Sequence, residues 1–127
     1  MYRETTDGIL IQVNPSYLRE HSDPTSRLFV FAYEVTITNE GRQPAKVAAR
    51  HWVIRDGDGA EREVEGEGVV GEQPHLIPGG SFTYSSYCPL PTPTGSMRGT
   101  YRMVRDDGTE FDAKIPLFFL RDLAQYQ

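Results

Sequence analysis

Apolar and polar residues alternate along this chain with a period of two. Ile9, Ile11 and Val13 alternate with Leu10, Gln12 and Asn14. Phe29, Phe31, Tyr33, Val35 and Ile37 form the longest stripe, with Glu34, Thr36 and Thr38 between them. Successive side chains of a strand point to opposite faces, so each stripe predicts the core face of a β-strand. A third strand is predicted over residues 46–55, with Trp52 and Ile54 inward. Further strands are predicted over 61–65, 81–88, 97–104 and 110–120. Their inward faces are marked by Phe82 and Tyr84, by Met97, Tyr101 and Met103, and by Phe111, Ala113 and Ile115.

Turn chemistry separates these segments. Asn39-Glu40-Gly41, Asp56-Gly57-Asp58-Gly59, Pro78-Gly79-Gly80 and Asp106-Asp107-Gly108 each join a turn former to glycine, which reaches positive φ without steric cost. About seven strands punctuated in this way predict an all-β, two-sheet sandwich rather than βαβ units. Longer loops are expected at 19–27, 65–80 and 89–96, the last stiffened by Pro89, Pro91 and Pro93. A short helical turn has room only near residues 15–19 or at 121–127.

The length of 127 residues predicts a single domain over 1–127. Cys88 is the one cysteine, which excludes an intramolecular disulfide and points to a reducing compartment. Residues 1–7 contain no apolar stretch of the signal-peptide kind, and no apolar run approaches the ~20 residues of a spanning helix. A cytoplasmic protein with no membrane contact is expected. The formal charge of −5, with only Lys46 and Lys114 as lysines, disfavours nucleic acid as a direct partner.

Few residue groupings suggest chemistry. Gly66-Glu67-Gly68-Val69-Val70-Gly71 has the spacing of a dinucleotide-binding glycine motif. The residues after it, Glu72-Gln73-Pro74-His75, cannot start the helix that such a site requires. A bent glycine loop is expected, with an anion nest of backbone N–H groups at Gly66, Gly68 and Gly71 as the functional alternative. Asp56, Asp58 and Glu61 resemble the start of a calcium loop but lack its remaining ligands, so a hairpin turn is the better reading. His21, His51 and His75 show no metal-ligand spacing with Cys88, and Cys88, Ser85 and Ser86 sit in no nucleophile motif. Trp52, Tyr84, Tyr87 and Tyr101 could line a ligand groove, although aromatic residues in strands more often pack in the core. No catalytic residue, metal site or cofactor is predicted. Ile115-Pro116-Leu117-Phe118-Phe119-Leu120 reads as apolar on both faces, with Pro116 placing it at a sheet edge. Pro116, Phe118 and Leu120 are therefore either covered by the chain's own loops or form a partner surface.

Taken together, several stretches resemble the ApaG family along nearly the whole chain. They are Phe29 to Asn39, Arg50-His51-Trp52-Val53-Ile54, the glycine motif through Pro74, Thr92-Pro93-Thr94-Gly95-Ser96-Met97-Arg98-Gly99-Thr100-Tyr101, and Ile115-Pro116-Leu117-Phe118. The resemblance implies an immunoglobulin-like or fibronectin-type-III-like sandwich. It implies a non-enzymatic protein–protein interaction module, as in the eukaryotic proteins that carry this domain, and an indirect link to cobalt tolerance and magnesium efflux. It also carries the idea of pyrophosphate binding at Gly66, Gly68 and Gly71, and supplies no catalytic residues. The expected partner is an unidentified protein, and the expected state a monomer or weak homodimer. Phosphate or nucleotide binding at the glycine loop is one alternative function. Direct divalent-cation binding by Asp56, Asp58 or Asp106-Asp107 is the other.

Overall fold

The computed structural model describes residues 1–122. Among them nine strands form two antiparallel sheets: β1 (Tyr2–Thr6), β2 (Ile9–Tyr17), β3 (Phe29–Asn39), β4 (Ala45–Asp56), β5 (Glu61–Glu67), β6 (His75–Leu76), β7 (Ser81–Leu90), β8 (Thr94–Arg105) and β9 (Glu110–Arg121). One sheet runs β1-β2-β3-β7 and the other β5-β4-β8-β9, with β6 pairing β4 beyond the end of β5. Without β1 and β6 this is the three-plus-four sandwich of a fibronectin-type-III domain. The seven expected strands are all present. The two additional strands, β1 and β6, lie at sheet margins: β6 has only two residues, and β1 carries a single apolar side chain, Tyr2, so neither shows an apolar stripe. No helix among the described residues is long and apolar enough to cross a membrane.

Local expectations changed in two places. Residues 15–19 hold no helical turn: β2 continues to Tyr17, and two 3-10 turns follow at Arg19–His21 and Pro24–Ser26. Pro15 is tolerated because β1 stops pairing at Val13, leaving the rest of β2 at an edge. The loop expected at 89–96 shrinks, since β7 extends to Leu90 and β8 starts at Thr94. At the carboxyl end Arg121 closes β9, and the rest of the helical turn expected over 121–127 lies mostly outside the described residues.

The predicted stripes form the core. Ile9, Ile11, Val13 and the five residues from Phe29 to Ile37 are buried against Met97, Tyr101, Met103, Ala113 and Ile115 of the facing sheet. In two strands the stripe changes phase. The register of β4 against β8 slips between Val47 and Ala49, so the inward residues switch from Ala45 and Val47 to Trp52 and Ile54. In β9 two residues, Pro116 and Leu117, face Arg98 alone, and the inward set switches from Ala113 and Ile115 to Pro116, Phe118 and Leu120. One extra residue on one side of a ladder inverts every later side chain.

Trp52, 3% exposed, is the hub of the packed interior. Its ring meets Tyr33, Phe118 and Tyr101 at centroid distances of 5.3, 5.9 and 6.2 Å, all edge-to-face. Tyr84 and Tyr101 satisfy each other's buried hydroxyls. Opposite Trp52 in the ladder stands Gly99, where a β-carbon would be driven into the carbonyl oxygen of His51.

Two stability predictions follow from this packing. Trp52→Ala removes the shared wall of three aromatic contacts and is expected to cost about 3–5 kcal/mol in urea unfolding. Gly99→Ala overfills a closed strand pair and is expected to cost about 1–3 kcal/mol in the same measurement. A loss below about 0.5 kcal/mol for either variant is a surface-like response and contradicts this account.

Candidate functional site

The glycine motif lies where β4 bulges. Strands β5 and β6 pair successively with the same edge of β4, and residues 68–74 bridge them. The Ala48 carbonyl accepts hydrogen bonds from the Gly68 amide and from Gln73 Nε2, both at 2.8 Å, and the Val47 amide donates to the Pro74 carbonyl. Val69 and Glu72 exchange two backbone hydrogen bonds around Val70 (φ 44°) and Gly71 (φ 80°). Positive φ at both central positions makes a two-residue hairpin of type I′. Gly68 also has positive φ, and a β-carbon there would strike the Glu72 carbonyl. Gly66 lies beneath the Arg50 guanidinium, whose Nη1 donates to the Glu67 and Gly68 carbonyls at 2.9 and 3.1 Å. The motif spacing is thus explained by backbone shape. The amides of Gly68, Val69 and Glu72 donate to backbone carbonyls.

The acidic turns cap their own backbone. Asp56 Oδ1 accepts from the Asp58 and Ala60 amides, and Asp58 reaches Arg27 at 3.4 Å. Asp106 pairs with His75 at 2.8 Å. Asp107 accepts from the hydroxyl and amide of Thr109, which hold its carboxyl below the usual carboxylate range. His51 stands between Glu63 and Glu65, 3.7 Å from each. Among the described residues no three or more His, Cys, Asp or Glu side chains gather around a position for one metal ion. Cys88 is buried, and burial pushes its thiol up, away from the reactive thiolate. No histidine or carboxylate among the described residues is hydrogen-bonded to Ser85, Ser86 or Cys88.

The carboxyl-terminal strand overturns one expectation. Pro116, Phe118 and Leu120 are buried and cannot form a partner surface. The bulge at Pro116–Leu117 rotates them inward, where Phe118 packs on Trp52, Tyr33 and Tyr2. The intervening residues, Leu117 (48% exposed) and Phe119 (42% exposed), face outward instead. The Arg121 guanidinium lies 5.2 Å from the Phe119 ring centroid. Phe119 and Arg121 border a groove of about 610 Å³ whose other walls include Arg55, Thr94 and Ser96.

A second concavity, of about 300 Å³, opens between the free edges of β5 and β7. Trp52, Tyr33 and Tyr84 line it from the interior, and Arg50 and Arg62 reach it from β4 and β5. Of the aromatic residues that could line a groove, Trp52, Tyr84 and Tyr87 do and Tyr101 does not, while Tyr33, Arg50 and Arg62 were missed. One signal was present: in β5 every odd position is a glutamate, whereas the even positions are Arg62, Val64 and Gly66. That alternation puts the acids on one face and a lone cation on the other.

The ApaG domain model matches residues 19–105. Protein ApaG of Methylobacterium sp. (strain 4-46) is 52% identical over 120 residues, covering 94% of this chain and 92% of that protein. Protein ApaG of Thiobacillus denitrificans is 54% identical over 112 residues, 88% of each chain. The crystal structure of a Bordetella pertussis protein described as ApaA superposes with a TM-score of 0.87 at 51% identity, covering 89% of this chain and 92% of that one. With matches of this extent on the same sandwich, the chain belongs to the ApaG domain family.

Proposed function

We propose that this domain is a non-catalytic interaction module that binds a protein partner through the outer face of β9, with Leu117 and Phe119 as its anchors. The observation that carries the reading is the exposure of two large apolar side chains, two residues apart on one strand, the second of which, Phe119, borders a groove of about 610 Å³. The neighbouring outer face of the same sheet is charged: Arg98 pairs with Glu61, and Arg102 lies near Glu110 and Asp112. An apolar anchor with a charged rim is the usual anatomy of a protein interface, and a few such residues carry most of the binding energy. On this reading the family's association with cobalt tolerance and magnesium efflux is an indirect consequence of what the partner does. A buried, unreactive Cys88 suits the reducing cytoplasm.

Adjacent phenylalanines give the test. Phe118→Ser opens the core and is expected to cost about 3–5 kcal/mol of stability. Phe119→Ser is expected to stay within about 0.5 kcal/mol of the parent while losing most of the protein captured from native lysate by the immobilised domain. Sedimentation equilibrium then shows whether the captured species is a second copy of this chain. Undiminished capture by both Phe119→Ser and Leu117→Ser would remove the β9 face from consideration.

A further inference from the structure

The two long sides of the sandwich are built differently. On one side β9 packs against β1 and β2, and the Lys114 amide at the sheet edge donates to Thr6 Oγ1 across the corner. On the other side the edges of β5 and β7 stay apart and leave the cleft of about 300 Å³. The protein carries a formal charge of −5, yet no carboxylate lines this cleft. Arg50 and Arg62 both line it, and among the described residues neither has an acidic side chain within ion-pair distance. Each is steadied through one terminal nitrogen: Arg50 Nη1 on the Glu67 and Gly68 carbonyls, and Arg62 Nη2 on the Pro89 carbonyl at 3.1 Å and the Cys88 sulfur at 3.8 Å. The other terminal nitrogen and Nε of each guanidinium have no protein acceptor among the described residues. Two fixed, uncompensated guanidiniums beside a low-polarity wall favour an anion, and their planar forks match carboxylate or phosphate oxygens.

The walls define the rest of the ligand. Trp52, Tyr33 and Tyr84 form an aromatic floor, and Val64, Val70 and Tyr87, all exposed, form an apolar rim. Val70 is held there by the type I′ hairpin at φ 44°, a conformation that a β-branched residue rarely adopts. The volume lies at the small end of ligand pockets, enough for one ring and one anionic group but not for a dinucleotide. From this geometry we propose that the β5–β7 cleft binds a small organic anion, a carboxylate or phosphate monoester with an aromatic or compact apolar body. Arg50 and Arg62 hold the charge, and the aromatic floor takes the body. The site shares no residue with the β9 face, so either can fail without the other.

Magnetic-resonance titration of nitrogen-labelled protein with phenyl phosphate, phenylpropionate, inorganic phosphate and benzyl alcohol at fixed ionic strength tests the assignment. Phenyl phosphate, phenylpropionate or both should move the Trp52 indole and the Arg50 and Arg62 Nε signals along saturable curves; whichever does identifies the anionic group. Benzyl alcohol, with the ring but no charge, and inorganic phosphate, with the charge but no ring, should each bind about tenfold more weakly or less. Arg62→Gln should weaken the organic anion by about tenfold and leave benzyl alcohol unchanged. Val70→Asn keeps the fold safe, because Asn-Gly suits a type I′ turn, and should weaken the organic anion several-fold by removing part of the rim. Absence of a saturable shift at Trp52 with either organic anion overturns the proposal. So does equal binding of benzyl alcohol, or an affinity indifferent to both substitutions.

Discussion

Trp52 is inward only because β4 carries one residue more than β8 at Ala48. A strand offers one face to the core, and its alternation has no tolerance: one residue added or removed sends the next large side chain to the opposite side. Ala45 and Val47 set the inward phase at the start of β4, and continuing it unbroken would turn Trp52 to solvent. The bulge at Pro116–Leu117 does the same for Phe118 in β9. Strand β8 lies between these two interruptions and keeps a single phase from Met97 through Tyr101 to Met103. The aromatic cluster of Trp52, Tyr33, Tyr101 and Phe118 exists because both neighbours of β8 shift to meet it.

The same interruption in β4 organises the glycine motif. A bulge frees a backbone carbonyl from the ladder, and at Ala48 that oxygen takes up the Gly68 amide and the Gln73 side chain together. The hairpin after Gly68 is thereby pinned to the strand it follows, and its tip carries Val70 to the mouth of the β5–β7 cleft. Gly66 has a different duty, leaving room for the Arg50 guanidinium to lie across the strand. Gly66 and Gly68 thus make room for a cation and for the turn that carries the apolar tip.

Charge is distributed with equal economy. The glutamates at odd positions of β5 face outward with His51, away from the cleft that Arg62 enters. An acidic edge strand also discourages pairing with another chain, a hazard for any open sandwich. Pro89 on the facing strand has no amide to offer, and its carbonyl is taken by Arg62. The open side of the molecule is thus guarded against strand addition while remaining accessible to a small ligand.

The sequence by itself determined the sheets. The stripes at Ile9–Val13 and Phe29–Ile37 and the turns with glycine are local or nearly local properties, because a period of two is written into consecutive residues. The family was legible for the same reason: its motifs are short runs. Tertiary structure decided what depends on pairing. Whether Phe118 or Phe119 faces the solvent turns on a bulge opposite Arg98, and a bulge is a relation between two strands rather than a feature of one. The apolar run 115–120 looked two-faced because the strand inverts its phase in the middle. Arg50 and Arg62 lie twelve positions apart among ordinary surface-type residues, and only the pairing of β4 with β5 turns both toward Tyr84 and Trp52. A strand's own alternation tells which of its residues share a face; only its neighbours tell which face is the interior.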